Sequence, residues 1–422
     1  MIPPRSSPDR VASIMLSWHS LDLVACTTLQ TLWAGYGQIC AITARATTDQ
    51  AASHLDQLCG LESGVAGSTY PLVLKLISPP SKSGTVDEGH LRKMLSYEVE
   101  QYFYSDVVPL FGDVAVANCL ASTRGIQSEE LEDLMATIMV DLRPKFPVAG
   151  GKRSALNQTQ VYGALDWLAS FHGHSRGAIA ANSLAEYVLP PLEEYSRRKK
   201  TGKDMPASGS GLWLNGGYTY LATRQKEYAT LVEDTDSEWS DALCGAFSQT
   251  SSLSVAEMAA LFLTPCGRPF ESYIHGDVKS ENLFTTTDGA EVAFFDFQYI
   301  GLGLGVCDLA KLFTCSVPLH LLLDADVDAD ELPEQLTMHD AEKQLLERYR
   351  ARLLRPQTDV YEWDTFKRHW ETALVDWCRF QASWGFWGNT EWLEARVRSI
   401  LNDQAWRDWL DQDTSSRRLQ RA

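Results

Sequence analysis

The stretch IHGDVKSENLFTTTDGAEVAFFDF, residues 274–297, constrains the fold more than any other part of the chain. An apolar lead-in ends at His275-Gly276-Asp277, and Asn282 follows five positions after the aspartate. Two short β-like runs then flank Asp288-Gly289, a hairpin turn signal. Such a hairpin returns the chain so that Asp296 stands beside Asn282, with Asp277 at the mouth. Amide and carboxylate oxygens on neighbouring strands suit Mg²⁺, a hard cation that keeps much of its coordination for phosphates and water. Asp277 is placed to accept a proton from an attacking hydroxyl. His275 reads as a packed turn residue, since Asp277 fills the proton-transfer role.

Upstream segments suit the same task. LWAGYGQICAITARA, residues 32–46, reads as strand, glycine turn, strand, with Gly35 and Gly37 able to cover phosphates with backbone N–H groups. YPLVLKLI, residues 70–77, is a strand in which Lys75 is the lone charge, costly to bury unless its ammonium meets anions. Residues 87–111 have helical spacing, with Leu91, Leu95, Val99 and Phe103 on one face. Glu100 is the carboxylate expected to hold Lys75; Glu98 competes for the role, and a solvated helix carboxylate is the alternative for either. LMATIMVDLRPKFP, residues 134–147, is a strand stopped by Arg143-Pro144 and Pro147.

From about residue 155 the pattern turns helical. QTQVYGALDWLASFHGHSRG is amphipathic and is expected to end at its glycines, with His172 and His174 at a helix end where the dipole favours histidine. Beyond residue 340 come long helices rich in tryptophan. The expected class is α+β: an N-terminal antiparallel sheet with one main helix over residues 1–142, then a larger, mostly helical unit over 143–422 with an insertion at about 195–260. Lysine, glutamate, glycine turn, catalytic aspartate, asparagine and metal aspartate are the parts of protein-kinase-type phosphoryl transfer, in kinase order.

Composition narrows the partners. The 422 residues carry a net charge of −18, which argues against nucleic acid and anionic membranes and would draw in a cationic small molecule. Nine cysteines without a C-x-x-C pair read as reduced thiols of a cytoplasmic chain. The first residues lack a signal-peptide core, and no apolar run reaches the ~20 residues of a membrane span. The Asn157-Gln-Thr sequon is then idle. Residues 199–211 read as an exposed loop, and 232–241 as solvated or helix-start charge. DADVDADE, residues 324–331, alternates aspartates like a calcium loop, but Ala329 and Gln335 stand where such a loop needs Gly and Glu.

HGD-x-x-x-x-N, then FFDFQ, then CDLAKLF resembles the aminoglycoside phosphotransferase and choline-kinase-like superfamily of small-molecule kinases. The D-F-Q triplet and the E-x-x-FY helix resemble its ecdysteroid-kinase-like branch. The resemblance spans roughly residues 30–315 and implies a protein-kinase-like two-lobed fold and an ATP- and Mg-dependent transfer to a small-molecule alcohol. It makes Asp277 the base, Asn282 and Asp296 the Mg²⁺ ligands, and Lys75, oriented by Glu100, the contact to the α/β-phosphates. Val140, Asp141 and Leu142 would supply backbone hydrogen bonds to adenine, and Asp308 would brace the catalytic loop. Gln298 replaces the Gly of protein kinases, and no A-P-E segment follows, which speaks against a protein substrate. Lys279, two after the aspartate, is expected to steady the γ-phosphate.

Trp377, Phe380, Trp384, Phe386, Trp387 and Trp392 suit either core packing or a box for a protonated amine, with Asp376 the first carboxylate to test. The stretch LNGGYTYLATR with Trp213 belongs to the substrate side. A protein kinase and a non-catalytic nucleotide-binding scaffold are the rival readings.

Overall fold

The computed structural model describes residues 7–80, 87–124, 130–131, 134–179, 184–201, 211–249, 251–329, 331–354 and 360–421. Contacts divide the chain into two compact units, Met1–Pro147 and Val148–Ala422.

The first unit is an antiparallel sheet in the order β1-β2-β3-β5-β4, from β1 (Leu21–Thr31), β2 (Gly37–Ala46), β3 (Thr69–Ile77), β4 (Cys119–Ser122) and β5 (Met135–Val140). The expected main helix is α3 (Glu88–Tyr102), and among the described residues two shorter ones accompany it, α1 (Pro8–Ser17) and α2 (Asp49–Cys59). The starts of the two extra helices follow ordinary capping chemistry, with Ser7 accepting from the Arg10 N–H and Thr48 from the Ala51 N–H. Along β3 the side chains alternate faces. Leu72, Leu74 and Leu76 join the core beneath α1 and α2, with Val11, Met15 and Leu55. Lys75 falls on the opposite face, where α3 lies.

The β1–β2 connection has a short helical turn at Trp33–Gly35, earlier than the expected Gly35–Gly37 turn, because β1 runs from Leu21 and already ends at Thr31. Gly37 has φ +147°, and a Cβ there would sit 2.1 Å from the Leu76 carbonyl oxygen. Its role is therefore close approach of β2 to β3, whereas Gly35, at φ +72°, faces open space.

In the second unit the sheets are small and the helices dominate. β6 (Val148–Ala149), β8 (Leu283–Thr285) and β9 (Val292–Phe294) form one antiparallel sheet; β7 (Glu271–Ile274) pairs with β10 (Gly301–Leu304). The helices are α4 (Gln158–Ile179), α5 (Pro191–Thr201), α6 (Gln225–Glu233), α7 (Glu238–Cys244), α8 (Val255–Leu263), α9 (Val306–Cys315), α10 (Asp340–Leu353), α11 (Trp363–Trp384), α12 (Thr390–Leu401) and α13 (Gln404–Arg421). The expected loop at 199–211 lies mostly outside the described residues, which stop at Thr201 and resume at Gly211.

α11 packs on α8, α9 and α12 with Phe366, Trp370, Leu374 and Cys378 buried. A buried ionic knot ties it in: the Arg396 Nε donates to Glu342 at 2.9 Å, and the Trp370 indole donates to the same carboxylate at 2.8 Å. Among the described residues no helix is long and apolar enough to cross a membrane, and the nine cysteines are free thiols.

Because Gly37 combines a positive φ with contact to backbone, Gly37→Ala is expected to lower stability by about 1–3 kcal/mol. Urea unfolding of the purified variant measures this; a loss below the precision of the titration would contradict the packing role.

Candidate active site

In the first unit Lys75 and Glu100 make a buried ion pair, Nζ to Oε2 at 2.5 Å. This resolves the competition with Glu98 by register, since α3 presents Glu100 to the face of β3 that carries Lys75. The Tyr97 ring adds a cation–π contact at 5.6 Å from the ammonium. Both charges are nearly inaccessible, so each satisfies the other's desolvation cost.

The segment at the end of β5 is narrower in its offer than expected. The Val140 N–H donates to the Asn118 carbonyl at 2.9 Å and the Asp141 N–H points to the Pro71 carbonyl at 3.4 Å. The Asp141 carboxylate is clamped by Arg143 through Nε and Nη2 at 3.0 and 2.6 Å. Of the three residues, only the Leu142 N–H makes no hydrogen bond among the described residues.

In the second unit β7 delivers the loop at 275–282. Gly276 has φ +83°, and a Cβ there would meet the Tyr299 carbonyl oxygen at 2.5 Å and the Gly217 nitrogen at 2.6 Å, so only glycine fits. The Asp308 carboxylate accepts from the His275 N–H at 2.7 Å and the Gly276 N–H at 2.9 Å. His275 is fully buried, as a packed turn histidine should be; its Nδ1 accepts from the Asp277 N–H, which leaves Nε2 to donate to the Phe295 carbonyl at 2.9 Å. Burial pulls its pKa below the ordinary value, which fits a neutral ring.

Asp277 is then fixed from two sides. The Asn282 Nδ2 donates to its carbonyl at 2.9 Å and to its carboxylate at 3.0 Å, and the Lys279 ammonium lies 3.1 Å from the same carboxylate oxygen. Burial pushes the Asp277 pKa up; Lys279 opposes the shift and the charge of Asp296 adds to it. Lys279 also reaches Glu281 at 3.1 Å. Burial disfavours its charge, but the two carboxylates outweigh it and hold its pKa above that of an ordinary lysine.

The hairpin returns as its turn signal predicts. Leu283 pairs with Phe294, and the Phe295 N–H donates to the Asn282 carbonyl at 3.0 Å, which puts Asp296 one residue from Asn282's partner. Asp296 is held at φ +67°, an uncommon conformation for aspartate, and Gln298 Nε2 donates to its Oδ1 at 2.7 Å. The Asn282 amide nitrogen is spent on Asp277, so its oxygen is the end left for a cation. With Asp296 it supplies two hard oxygen donors, a set that fits Mg²⁺ completed by phosphates and water.

A cavity of about 430 Å³ opens on Asp277 and Lys279, walled by Tyr218, Trp377, Trp384 and Trp387. The aromatic series therefore divides: Trp377, Trp384, Phe386 and Trp387 line the cavity, while Phe380 and Trp392 are buried packing. Asp376 is paired with Arg379 at 2.7 Å, and the Arg379 Nη2 also donates to the Thr219 carbonyl in the Trp213–Arg224 stretch, binding that stretch to α11.

Two expected positions are corrected. α4 runs through Gly173 and Gly177 to Ile179, so His174, which is exposed, and His172 both lie inside the helix rather than at its end, and His172 is buried. Its Nε2 meets Asp308 at 3.2 Å and its Nδ1 meets the Tyr349 hydroxyl at 2.7 Å. A signal existed: Val161, Leu165 and Leu168 set an apolar stripe whose next position is 172, so a histidine there had to be buried and partnered.

Asp308 carries the loop geometry. Burial alone would raise its pKa; the hydrogen bond and charge of His172, then Lys311 and His275, turn the shift downward. A depressed folded-state pKa means its stabilisation is complete above the ordinary value of 3.8 and fades as pH falls through the folded value. Asp308→Asn leaves one carboxamide oxygen for two buried N–H groups and is expected to cost about 1–3 kcal/mol at pH 7. Chemical denaturation of both proteins from pH 7 to pH 3 should show that gap closing in acid; a gap that widens in acid would contradict the assignment.

A sequence profile of the ecdysteroid kinase-like family matches residues 72–328. No curated protein gives a significant sequence match. Among solved structures, the chain is similar to an ethanolamine kinase of Plasmodium vivax at 13% identity, covering 91% of this chain and 84% of that one with a TM-score of 0.39. A choline kinase from Cryptosporidium parvum matches at 11% identity, 93% and 90% coverage and TM-score 0.41. A macrolide 2′-phosphotransferase from Brachybacterium faecium matches at 14%, 92% and 96%, and 0.39. With its profile match spanning more than half the sequence and including HGDVKSEN, FFDFQ and CDLAK, the chain belongs to the ecdysteroid kinase-like family.

Proposed function

We propose that the protein is an ATP- and Mg²⁺-dependent phosphotransferase that moves the γ-phosphoryl group to a hydroxyl of a small molecule. The observation that carries this reading is Asp277: a buried carboxylate with raised pKa, aimed by Asn282 and Lys279, at the wall of a cavity large enough for a metabolite. A carboxylate disfavoured in its charged form is a better proton acceptor than a solvated one.

In this reading the acceptor hydroxyl donates its proton to Asp277 as it attacks in line. Lys279, already between Asp277 and Glu281, steadies the transferring phosphoryl group. Asn282 and Asp296 hold Mg²⁺, which when bound would neutralise developing charge on the phosphate oxygens. Lys75, kept charged and aimed by Glu100, contacts the α- and β-phosphates. The turn at Gly35 covers phosphates, and the Leu142 N–H with the Asp141 carbonyl contacts adenine. The work asked of these residues is positioning and charge stabilisation. The missing A-P-E segment favours a small acceptor over a protein; an assay of generic protein substrates against a panel of small alcohols separates the two.

Asp277→Asn should reduce Mg²⁺-dependent transfer on the order of 10²–10⁴-fold while raising the melting temperature at pH 7. The sign follows from the raised pKa, because the ionised carboxylate costs folding energy above 3.8 and none below it. Unchanged turnover, or a variant that unfolds, would contradict the assignment; an unaltered rate would also exclude a catalytic reading in favour of a scaffold. Lys279→Ala should lower kcat by well over about twofold, with the greater part in kcat rather than in KM for ATP. Steady-state kinetics checks it, and a rate within about twofold of wild type would remove Lys279 from the reaction.

A further inference from the structure

Lys311 lies on α9 one turn beyond Asp308, and it is 5% exposed. Its ammonium donates to the Gly276 carbonyl at 2.6 Å, the residue immediately before Asp277. It also sits 5.8 Å from the Tyr218 ring centroid and 5.9 Å from that of Trp377. An ammonium has three donors, and one carbonyl uses one of them. Among the described residues no carboxylate pairs with Lys311; Asp376, in the same cavity wall, is taken by Arg379. The Asp308 carboxylate, one turn back, eases the burial of this charge through space, but its oxygens are spent on the loop, so two donors of the ammonium stay unmet among the described residues. Lys311 and Trp377 line both the 430 Å³ cavity at Asp277 and an adjoining one of about 220 Å³, so the ammonium is at their shared wall.

The aromatic wall also has resident cations. Besides Lys311 over Tyr218 and Trp377, the buried Arg224 guanidinium lies 5.5 Å from Tyr218 and 5.0 Å from Trp384. Lys152, Arg153, Lys279 and Lys311 face the cavity against two carboxylates, Asp277 and Glu281, and those two already share Lys279. Rings that already stabilise a cation, in a cavity with surplus positive charge, disfavour a second one.

We propose that Lys311 is a specificity-determining residue, and that the acceptor is an alcohol carrying an anionic oxygen, such as a carboxylate, rather than a protonated amine. The proposal rests on the phosphotransferase reading for the word acceptor, and on the cavity alone for its charge preference. The ammonium donates to the anionic oxygen, the aromatic wall covers the carbon frame, and the reacting hydroxyl is left toward Asp277.

Three matched probes test it: 4-(hydroxymethyl)benzoate, benzene-1,4-dimethanol and 4-(aminomethyl)benzyl alcohol. Dissociation constants are read by ligand-observed NMR on the whole protein without ATP. The wild type should bind the benzoate at least about tenfold more tightly than the amine, the scale of one charge-assisted hydrogen bond. Lys311→Gln, which keeps a donor for the Gly276 carbonyl, should erase that preference while changing the neutral diol by less than about threefold. A structural prop would weaken all three probes alike, so an unchanged benzoate-to-diol ratio in the variant overturns the proposal, as does tighter binding of the amine to wild type. Discrimination without Mg²⁺-dependent ATP consumption would sink the kinase reading alone. Transfer of phosphate to the amine in preference to the benzoate would sink this inference alone.

Discussion

One buried carboxylate sets the geometry on which the second unit's chemistry depends. Asp308 accepts two consecutive backbone N–H groups, from His275 and Gly276, and meets the His172 ring. Lys311, one turn along the same helix, fixes the Gly276 carbonyl from the other side. The backbone on both sides of Gly276 is thus gripped by α9, and Gly276 combines a positive φ with neighbours too close for any Cβ. Moving the loop breaks several desolvated hydrogen bonds at once, and each unpaired buried group costs about 1–3 kcal/mol. Asp277 inherits this rigidity, and Asn282 extends it to the hairpin that presents Asp296.

That rigidity carries an electrostatic cost concentrated at one residue. Asp277 is buried with its pKa raised although Lys279 sits beside it, so the fold tolerates a disfavoured charge where the proposed reaction calls for a proton acceptor. Lys75 and Glu100 are the opposite case, two buried charges that satisfy each other. The chain's net charge of −18 predicts neither arrangement, since it resides largely on solvated side chains, while the cavity beside Asp277 is lined by more cations than anions.

Much of this was legible in the residues themselves. The Asp288-Gly289 turn, the charge isolated in YPLVLKLI and the spacing from Asp277 to Asn282 each encode a local constraint, and local constraints survive folding. Helix register also chose Glu100 once α3 was placed on β3. What stayed hidden depended on contacts distant in sequence. The glycines beside His172 read as a helix terminus, yet one face of α4 is buried through Val161, Leu165, Leu168 and His172, and packing overrides the weak helix propensity of Gly173 and Gly177. The two additional N-terminal helices were missed although Ser7-Pro8-Asp9 and Thr48-Asp49 are ordinary starting signals. Lys311 could not be singled out, because its neighbours Tyr218, Gly276 and Trp377 come from three separate parts of the chain. The aromatic series at 377–392 divided between wall and core for the same reason: periodicity says which residues share a helix face, not what that face meets.

The central claim is that the hairpin carrying Asn282 and Asp296 holds a divalent cation together with a triphosphate. Titrating Mn²⁺ against the protein with ATP, read by water-proton relaxation, tests it without needing the acceptor. The account predicts Mn²⁺ binding that depends on ATP and weakens by roughly tenfold or more in Asp296→Asn, while Asp277→Asn retains it. Mn²⁺–ATP binding indifferent to Asp296 would contradict it.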